Sequence, residues 1–170
     1  MNEWLAERLL PTVAIRCGLH TGPALVGNMG FHSRMKYGIV GEESEIPARL
    51  EEMNKNYSTK IMISETMCKR LAPDTFVMRP LDFIRLGSGG SDKPERVYEV
   101  IERASFRSRT EQKSEACSLH ASALQLYRQR DFAEAERKFK EVHEAMGRLT
   151  GAEDTPSALL MSRCRSYLEA

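Results

Sequence analysis

The chain has 170 residues, 41% of them hydrophobic, enough to bury the core of one ordinary domain or of a small domain with an appendage. Its 25 basic and 24 acidic residues leave a net charge of +1, so its charge gives no reason to expect nucleic acid or an anionic membrane as partner. No stretch contains the roughly 20 apolar residues of a membrane span, and the first residues lack the pattern of a secretory signal. We therefore expect a cytoplasmic protein with no membrane segment and no nucleic-acid partner.

The cysteines and histidines predict no metal site. The four cysteines are about fifty positions apart, and no pair has the spacing of a zinc site or a redox motif. The four histidines lack ligand spacing too, so we expect them on the surface or in packing roles: His20, His32, His120 and His143.

The first forty residues are predicted to form one helix and two strands joined by turns. Apolar residues at helical spacing indicate a helix over 2–10, and alternating residues indicate a strand over 12–19, with Cys17 as a small core residue. A second strand is predicted over 35–40. Between the two strands, glycines at short intervals predict tight turns: Gly18, Gly22, Gly27 and Gly30.

Helices and strands alternate from residue 42 to residue 101. The predicted elements are a helix over 42–54, a strand over 61–63, a helix from Ser64 to near Pro73, strands over 76–86 and 96–101, and a flexible turn at 87–91. Pro47 fits this reading only in the first turn of its helix, and Ser64 is a candidate N-cap. This alternation predicts an α/β or α+β layer around one mixed sheet, and we take the fold class as α+β.

The composition changes after residue 103, where only helix signals remain. We predict a sheet-bearing unit over 1–103, a polar linker over 104–114 and an all-α tail over 115–170. The tail is expected to be a helical hairpin followed by a third helix that begins at Thr155 and Pro156. The apolar face of the second tail helix is formed by Phe132, Ala135, Phe139, Val142 and Met146.

Local chemistry alone leaves the candidate functional residues open. The glycine-rich stretch has neither the P-loop pattern nor G-x-G-x-x-G, which favours ordinary turns. Glu45 and Arg49 are four positions apart and share a helix face. They can form an ion pair worth about 0.3–0.5 kcal/mol, or the arginine can face a phosphate. Spacing alone favours the ion pair.

Several motifs in order resemble the class III adenylyl and guanylyl cyclase catalytic domain, over about residues 2–101. The resemblance rests on these segments: Ile15-Arg16-Cys17-Gly18-Leu19-His20-Thr21-Gly22, Val26-Gly27-Asn28-Met29-Gly30, Tyr37-Gly38-Ile39-Val40-Gly41, Ala48-Arg49-Leu50-Glu51, Asn54-Lys55-Asn56-Tyr57 and Lys60-Ile61-Met62-Ile63-Ser64-Glu65. Residues 76–86 and 97–100 resemble the closing strands of that domain. The fold implied is the C-terminal half of a cyclase sheet flanked by helices.

The resemblance implies a site shared between two cyclase domains that pair head to tail. One domain supplies carboxylates for Mg or Mn, and the other supplies groups that bind ATP or GTP. In this chain Arg49 falls on the transition-state arginine, and Glu45 falls where an asparagine orients the ribose. Gly38 falls on a base-selection position, so the choice of purine is left open. The usual lysine-rich turn is replaced by 86–89, near Lys93 and Arg96.

The two metal-binding aspartates of the family would precede residue 1, so we expect no metal ligands in this chain and no activity from it alone. It could then complete a site with a second cyclase domain, as a homodimer or a heterodimer. Two alternatives stay open: a fragment of a full active cyclase, and a scaffold that acts through its tail. Residues 126–139 resemble a tetratricopeptide-type hairpin, although a plain helical appendage packed on the sheet accounts for them as well.

Overall fold

The structure is a computed structural model and describes residues 2–87, 94–104 and 108–169. In chain order its elements are α1 (Asn2–Ala6), β1 (Cys17–Leu19), β2 (Leu25–Phe31), β3 (Arg34–Val40), a 3-10 turn (Glu42–Ser44), α2 (Ile46–Tyr57), β4 (Ile61–Ser64), α3 (Glu65–Cys68), β5 (Phe76–Ile84), β6 (Glu95–Arg103), α4 (Ser108–Arg128), α5 (Phe132–Thr150) and α6 (Thr155–Leu168).

A four-stranded mixed sheet in the order β1-β4-β6-β5 organises the fold, and β2 and β3 form a separate antiparallel hairpin. Strand β1 runs parallel to β4, whereas β4 and β5 both pair antiparallel with β6. The predicted α+β class with a mixed sheet flanked by helices is confirmed. Pro80 lies beside a register shift in the outer strand β5, a place where its missing N–H costs no ladder bond.

Helix α2 covers one part of the sheet, and its apolar face explains why. Ile46, Leu50 and Tyr57 recur at helical spacing and are buried against Met62 and Val97 of the sheet. Pro47 lies in the first turn, as predicted. β1 approaches this helix closely, because a Cβ at Gly18 would come within 2.0 Å of the Pro47 carbonyl oxygen. Glycine is therefore required there for close packing, not for the turn that we predicted.

The helical tail packs on the other strands and shares their core. Phe83 of β5 packs against a cluster that includes Leu124, Phe139 and Leu160, and Ile101 of β6 packs against Val142. The buried face predicted for α5 is confirmed from Ala135 to Met146, whereas Phe132 packs only partly buried at the edge of a core cluster.

A buried ion cluster joins the tail to the sheet. Both terminal nitrogens of Arg79 in β5 donate to the carboxylate of Asp154, at 2.9 and 2.6 Å, and its Nε donates to Glu99 of β6 at 2.7 Å. Arg79 is 2% exposed. Burial by itself disfavours the charged form of Asp154, but the hydrogen bonds and charge of Arg79 hold its pKa below the usual value.

Several sequence predictions differ from the structure. The helix predicted over 2–10 ends at Ala6, and Leu9 has a positive φ of 54°. The strand predicted over 12–19 covers only β1, where β4 offers a pairing partner, and Cys17 is exposed, not in the core. The glycine-rich stretch contains strand β2 instead of turns only.

The remaining differences concern element ends. Helix α3 begins after the Ser64 cap as predicted but ends at Cys68, short of Pro73. Helix α4 begins at Ser108, so 108–114 is helical where a linker was expected, and Lys113 there pairs with Glu102 of β6 at 2.5 Å. Of the turn predicted over 87–91, residues 88–91 lie outside the described residues. None of the helices in the described part of the chain is long and apolar enough to cross a bilayer.

Candidate functional site

Glu45 and Arg49 lie together at the start of α2. Glu45 is the residue that precedes this helix, and Arg49 Nη2 is 3.7 Å from its Oε2 atom. Arg49 Nη1 also donates to the carbonyl oxygen of Leu86 at 2.7 Å. The ion pair predicted from spacing is therefore present, and a backbone contact holds the guanidinium beside the end of β5.

The Arg49 side chain remains accessible despite these contacts. Its side chain is 39% exposed and that of Glu45 is 65% exposed. An exposed ion pair at this distance contributes at most about 1 kcal/mol, so an anionic ligand could compete with Glu45 for the guanidinium. The arrangement can therefore bind negative charge at a surface.

Gly38 lies on the hairpin and not on α2. It occupies strand β3 directly opposite Gly27 of β2. A Cβ added at Gly38 would come within 3.6 Å of the Met29 sulfur, an ordinary contact, so the backbone there tolerates a larger side chain. The structure therefore brings Glu45 and Arg49 together and places Gly38 on a separate element.

A histidine network in front of α2 was not recognised from the sequence. The His20 ring hydrogen-bonds through Nδ1 with Ser64 Oγ at 2.8 Å and through Nε2 with the carboxylate of Glu43. Its side chain is 3% exposed. His20 is 23 positions from Glu43 and 44 positions from Ser64 along the chain, which hides these contacts from any local pattern.

The network resembles a serine, histidine and carboxylate triad in composition only. Ser64 is fully buried, and its Oγ caps α3 by accepting a hydrogen bond from the Met67 N–H. The Ser64 hydroxyl is therefore not available to attack a substrate. The His20 network instead ties the 3-10 turn that contains Glu43, and that leads into Glu45, to the end of β4. We therefore assign His20 a positioning role for the start of α2.

The residues in the described ranges do not fit the divalent metal that the cyclase resemblance implies. Within the described ranges, no group of three or more His, Cys, Asp or Glu side chains is placed to hold a metal ion. Ser88, Gly89 and Lys93, singled out in the sequence near the end of β5, lie outside those ranges. Arg96, also singled out there, lies in β6 opposite Phe83.

Comparison with known proteins identifies the family. Residues 4–101 match the model of the adenylate and guanylate cyclase catalytic domain. An adenylate cyclase of Anabaena cylindrica is 30% identical over 92 residues, 54% of this chain and 18% of that protein. Adenylate cyclase 1 of Rhizobium meliloti is 34% identical over 92 residues, 54% of this chain and 13% of that protein. The chain therefore spans less than a fifth of the length of these relatives.

Solved cyclase structures are similar too. An adenylyl cyclase of P. aeruginosa is 30% identical, with 62% of this chain and 50% of that chain covered and a TM-score of 0.46. A guanylyl cyclase is 25% identical, with 63% and 52% covered and a TM-score of 0.45. Because the family model matches more than half of the residues, this chain belongs to the adenylate and guanylate cyclase catalytic domain family.

Proposed function

We propose that this chain supplies the arginine side of a nucleotide cyclase site that a second cyclase domain completes, and that it is inactive alone. The observation that carries the proposal is Arg49, which falls on the transition-state arginine of the family motif and presents a half-exposed guanidinium. A fixed guanidinium stabilises charge that develops on a transferring phosphoryl group. The attacking group is the ribose 3′-hydroxyl of the nucleotide itself, and pyrophosphate is the leaving group. The metal ligands then come from residues other than those described, so Arg49 binds and orients phosphate only.

The surface around β1, β2 and β3 supports pairing with another domain. The hairpin exposes large apolar side chains on both strands: Leu25, Val26, Phe31, Met35, Tyr37, Ile39 and Val40. Strand β1 is one of the two edge strands of its sheet, and Ile15, two residues before it, is 63% exposed. Contiguous apolar surface and an open strand edge are features of contact sites. We propose a second cyclase domain, in a homodimer or heterodimer, as their partner.

Glu45 supports the proposal that activity is low without a partner. Its carboxylate stands where the family places a neutral amide against the ribose, and it lies within reach of Arg49. A negative charge there repels the triphosphate of ATP or GTP and competes for the guanidinium. We propose that replacing this carboxylate with an amide strengthens nucleotide binding.

A cyclase assay with Mn and either ATP or GTP tests the proposal. The chain is assayed alone and mixed with a cyclase domain that keeps its metal-binding aspartates but has its own transition-state arginine replaced by alanine. We expect cyclic product only from the mixture, and Arg49→Ala should lower it by about a hundredfold or more. Arg137→Ala, an exposed arginine on α5, is the matched control and should leave the product unchanged.

Glu45→Asn in the same mixture should raise product formation, and Glu144→Gln, at an exposed position on α5, controls for the lost charge. Product from this chain alone would overturn the proposed inactivity and favour an active cyclase. Product from the mixture that survives Arg49→Ala would overturn the proposed role of Arg49.

The tail is proposed to be a stabilising appendage of the cyclase unit. Its helices bury Phe83 and Ile101 of the sheet, and Asp154 binds Arg79. The division into a unit over 1–103 and a tail over 115–170 therefore describes two parts that share a core. A tetratricopeptide-like groove for peptides stays a second hypothesis, supported by a cleft of about 470 Å³ between α4 and α5.

A further inference from the structure

Two arginine side chains contact one aromatic ring in a cleft between the sheet and α4. Phe83 of β5 and Arg96 of β6 are register partners, and Arg128 reaches the same ring from the end of α4. The guanidinium carbons of Arg96 and Arg128 lie 5.0 and 3.8 Å from the ring centroid. The cleft beside them has a volume of about 680 Å³.

The lining of this cleft is positive and rich in hydrogen-bond donors. Besides the two arginines it contains the polar side chains of Ser122, Gln125 and Gln129. No carboxylate lines it among the residues that the structure describes, and within those same ranges neither arginine forms an ion pair. The aromatic face of one ring attracts a cation, but two cations at one ring repel each other.

Two other arginines of the described residues, the buried Arg79 and the half-buried Arg163, are paired with carboxylates. Arg79 binds two carboxylates, and Arg163 donates to Asp82 at 2.5 Å. Arg96 Nη1 donates only to the Tyr98 hydroxyl at 3.3 Å, and its buried Nε has no hydrogen-bond partner in the described part of the chain. Burying a donor of a charged group without a partner costs free energy of folding. An anion bound beside Arg96 would offset that cost.

We propose that this cleft binds a small organic anion of the phosphate-ester class. A guanidinium presents a planar fork of donors that matches phosphate oxygens, and a phosphate ester carries nearly two negative charges at neutral pH, which balances two arginines. The volume falls within the usual range for small-molecule sites and exceeds what a bare ion needs. Apolar side chains of Pro80, Phe83 and Leu124 offer a wall for the organic part.

The proposed site is separate from the cyclase residues. It shares no lining residue with the surface cleft around Arg49, which is formed by α2 and the end of β5. Its ligand would contact β5, β6 and α4 at once, so it would bind the sheet and the tail together. A ligand that binds only the folded state raises the unfolding temperature, and the increase grows with the logarithm of the ligand concentration above its Kd.

Calorimetric titration of the full chain with phenyl phosphate tests the proposal, at constant ionic strength. We expect saturable binding at one site, weaker binding of inorganic phosphate and benzoate, and none of phenol. Arg128→Gln and Arg96→Gln should each weaken phenyl phosphate at least about tenfold, because each removes charge-assisted hydrogen bonds. Arg137→Gln, an exposed arginine on α5, should bind like the unchanged chain.

Circular dichroism checks that each variant is folded, and Arg128 is exposed at a helix end, so Arg128→Gln alone suffices if Arg96→Gln does not fold. Absence of saturable binding, or binding that both variants retain, would overturn the proposal. A loss of binding in Arg137→Gln equal to that in Arg128→Gln would overturn it as well, because it would indicate attraction by net charge alone. Benzoate bound more tightly than phenyl phosphate would overturn the phosphate class.

Discussion

The part of the chain before Ile46 and the part after it use their apolar residues in opposite ways. None of the described hydrophobic residues before Ile46 is buried, and most of the large exposed apolar side chains lie there, including Ile15, Phe31 and Tyr37. In the described part of the chain, the buried hydrophobic residues all lie between Ile46 and Cys164. The second part folds by satisfying its own apolar surface. The first part carries large apolar side chains like those of a core, but they are exposed instead of packed. Such exposure is typical of a surface that binds another protein.

The largest expected effect tests the claim that the second part is held by its own contacts. Arg79→Ala leaves Glu99 and Asp154 as buried carboxylates without their cation. We expect the free energy of unfolding to fall by about 3–5 kcal/mol. Urea denaturation followed by circular dichroism measures it, with Arg137→Ala as the exposed control.

An apolar version of the cluster separates lost charge pairing from lost packing. Arg79→Met combined with Glu99→Leu and Asp154→Leu removes all the charges and should recover much of the lost stability. If Arg79→Ala unfolds at the same urea concentration as the unchanged chain, the ion cluster does not hold the tail to the sheet.

A pH dependence is expected from the same region. His120 is fully buried in the tail, and burial, followed by the nearby charge of Arg79, lowers its pKa to about 3. The unfolded chain binds a proton near pH 6.5 that the folded chain does not bind, so stability falls as the pH drops from about 6.5 towards 3.

Between pH 6.5 and 5 this contribution amounts to roughly 1.5 kcal/mol. Urea titrations across that interval should show a shallower slope in His120→Gln than in the unchanged chain, whatever the absolute stability of the variant. Identical slopes would mean that the pKa of His120 is the same in the folded and the unfolded chain, and would contradict the prediction.

Substitutions in the first part, before Ile46, should change association with another chain and have little effect on the free energy of unfolding. Ile39 and Val26 are cross-strand neighbours on the hairpin, each 56% exposed. Ile39→Lys should weaken self-association or pairing with a cyclase domain by about tenfold, since it removes apolar contact area, with little change in unfolding. Sedimentation velocity measures it, and Ser114→Lys on α4 adds the same charge away from the hairpin. Unchanged association would remove the hairpin from the proposed interface.

The smallest expected effect concerns the boundary between the two parts. Glu45→Asn removes an exposed ion pair with Arg49 and should change the free energy of unfolding by less than about 0.5 kcal/mol. Urea denaturation measures this change. A loss of several kcal/mol would mean that Glu45 stabilises the fold, and that its role is structural.

Local patterns in the sequence predicted what depends on local physics. The apolar face of α5, the Ser64 cap and the position of Pro47 follow from spacing along one element, and the structure has all three. Strand β2 was missed because Gly27 and Gly30 indicate turns, whereas cross-strand pairing with β3 decides the outcome. The start of α4 was missed because its first turns are polar and are held by Lys113.

Contacts between distant residues could not be predicted from one sequence. Arg79 and Asp154 are 75 positions apart, and His20 meets Ser64 across 44 positions. The family motif gave Arg49 and Glu45 their candidate roles, and the structure adds only that they are neighbours. Arg96 was noted for its position near the end of β5, but no pattern indicated that Arg128 would meet it at Phe83.

The buried contact between Arg79 and Asp154 also restricts how this sequence can change. A replacement on either side alone leaves a charge in the interior, so the two positions are expected to mutate together or not at all among relatives that carry both the sheet and the helices. A tail exchanged for that of another cyclase would need to bring its own aspartate to the same place. The sheet and the tail therefore form one unit of inheritance, although the family match covers residues 4–101 only.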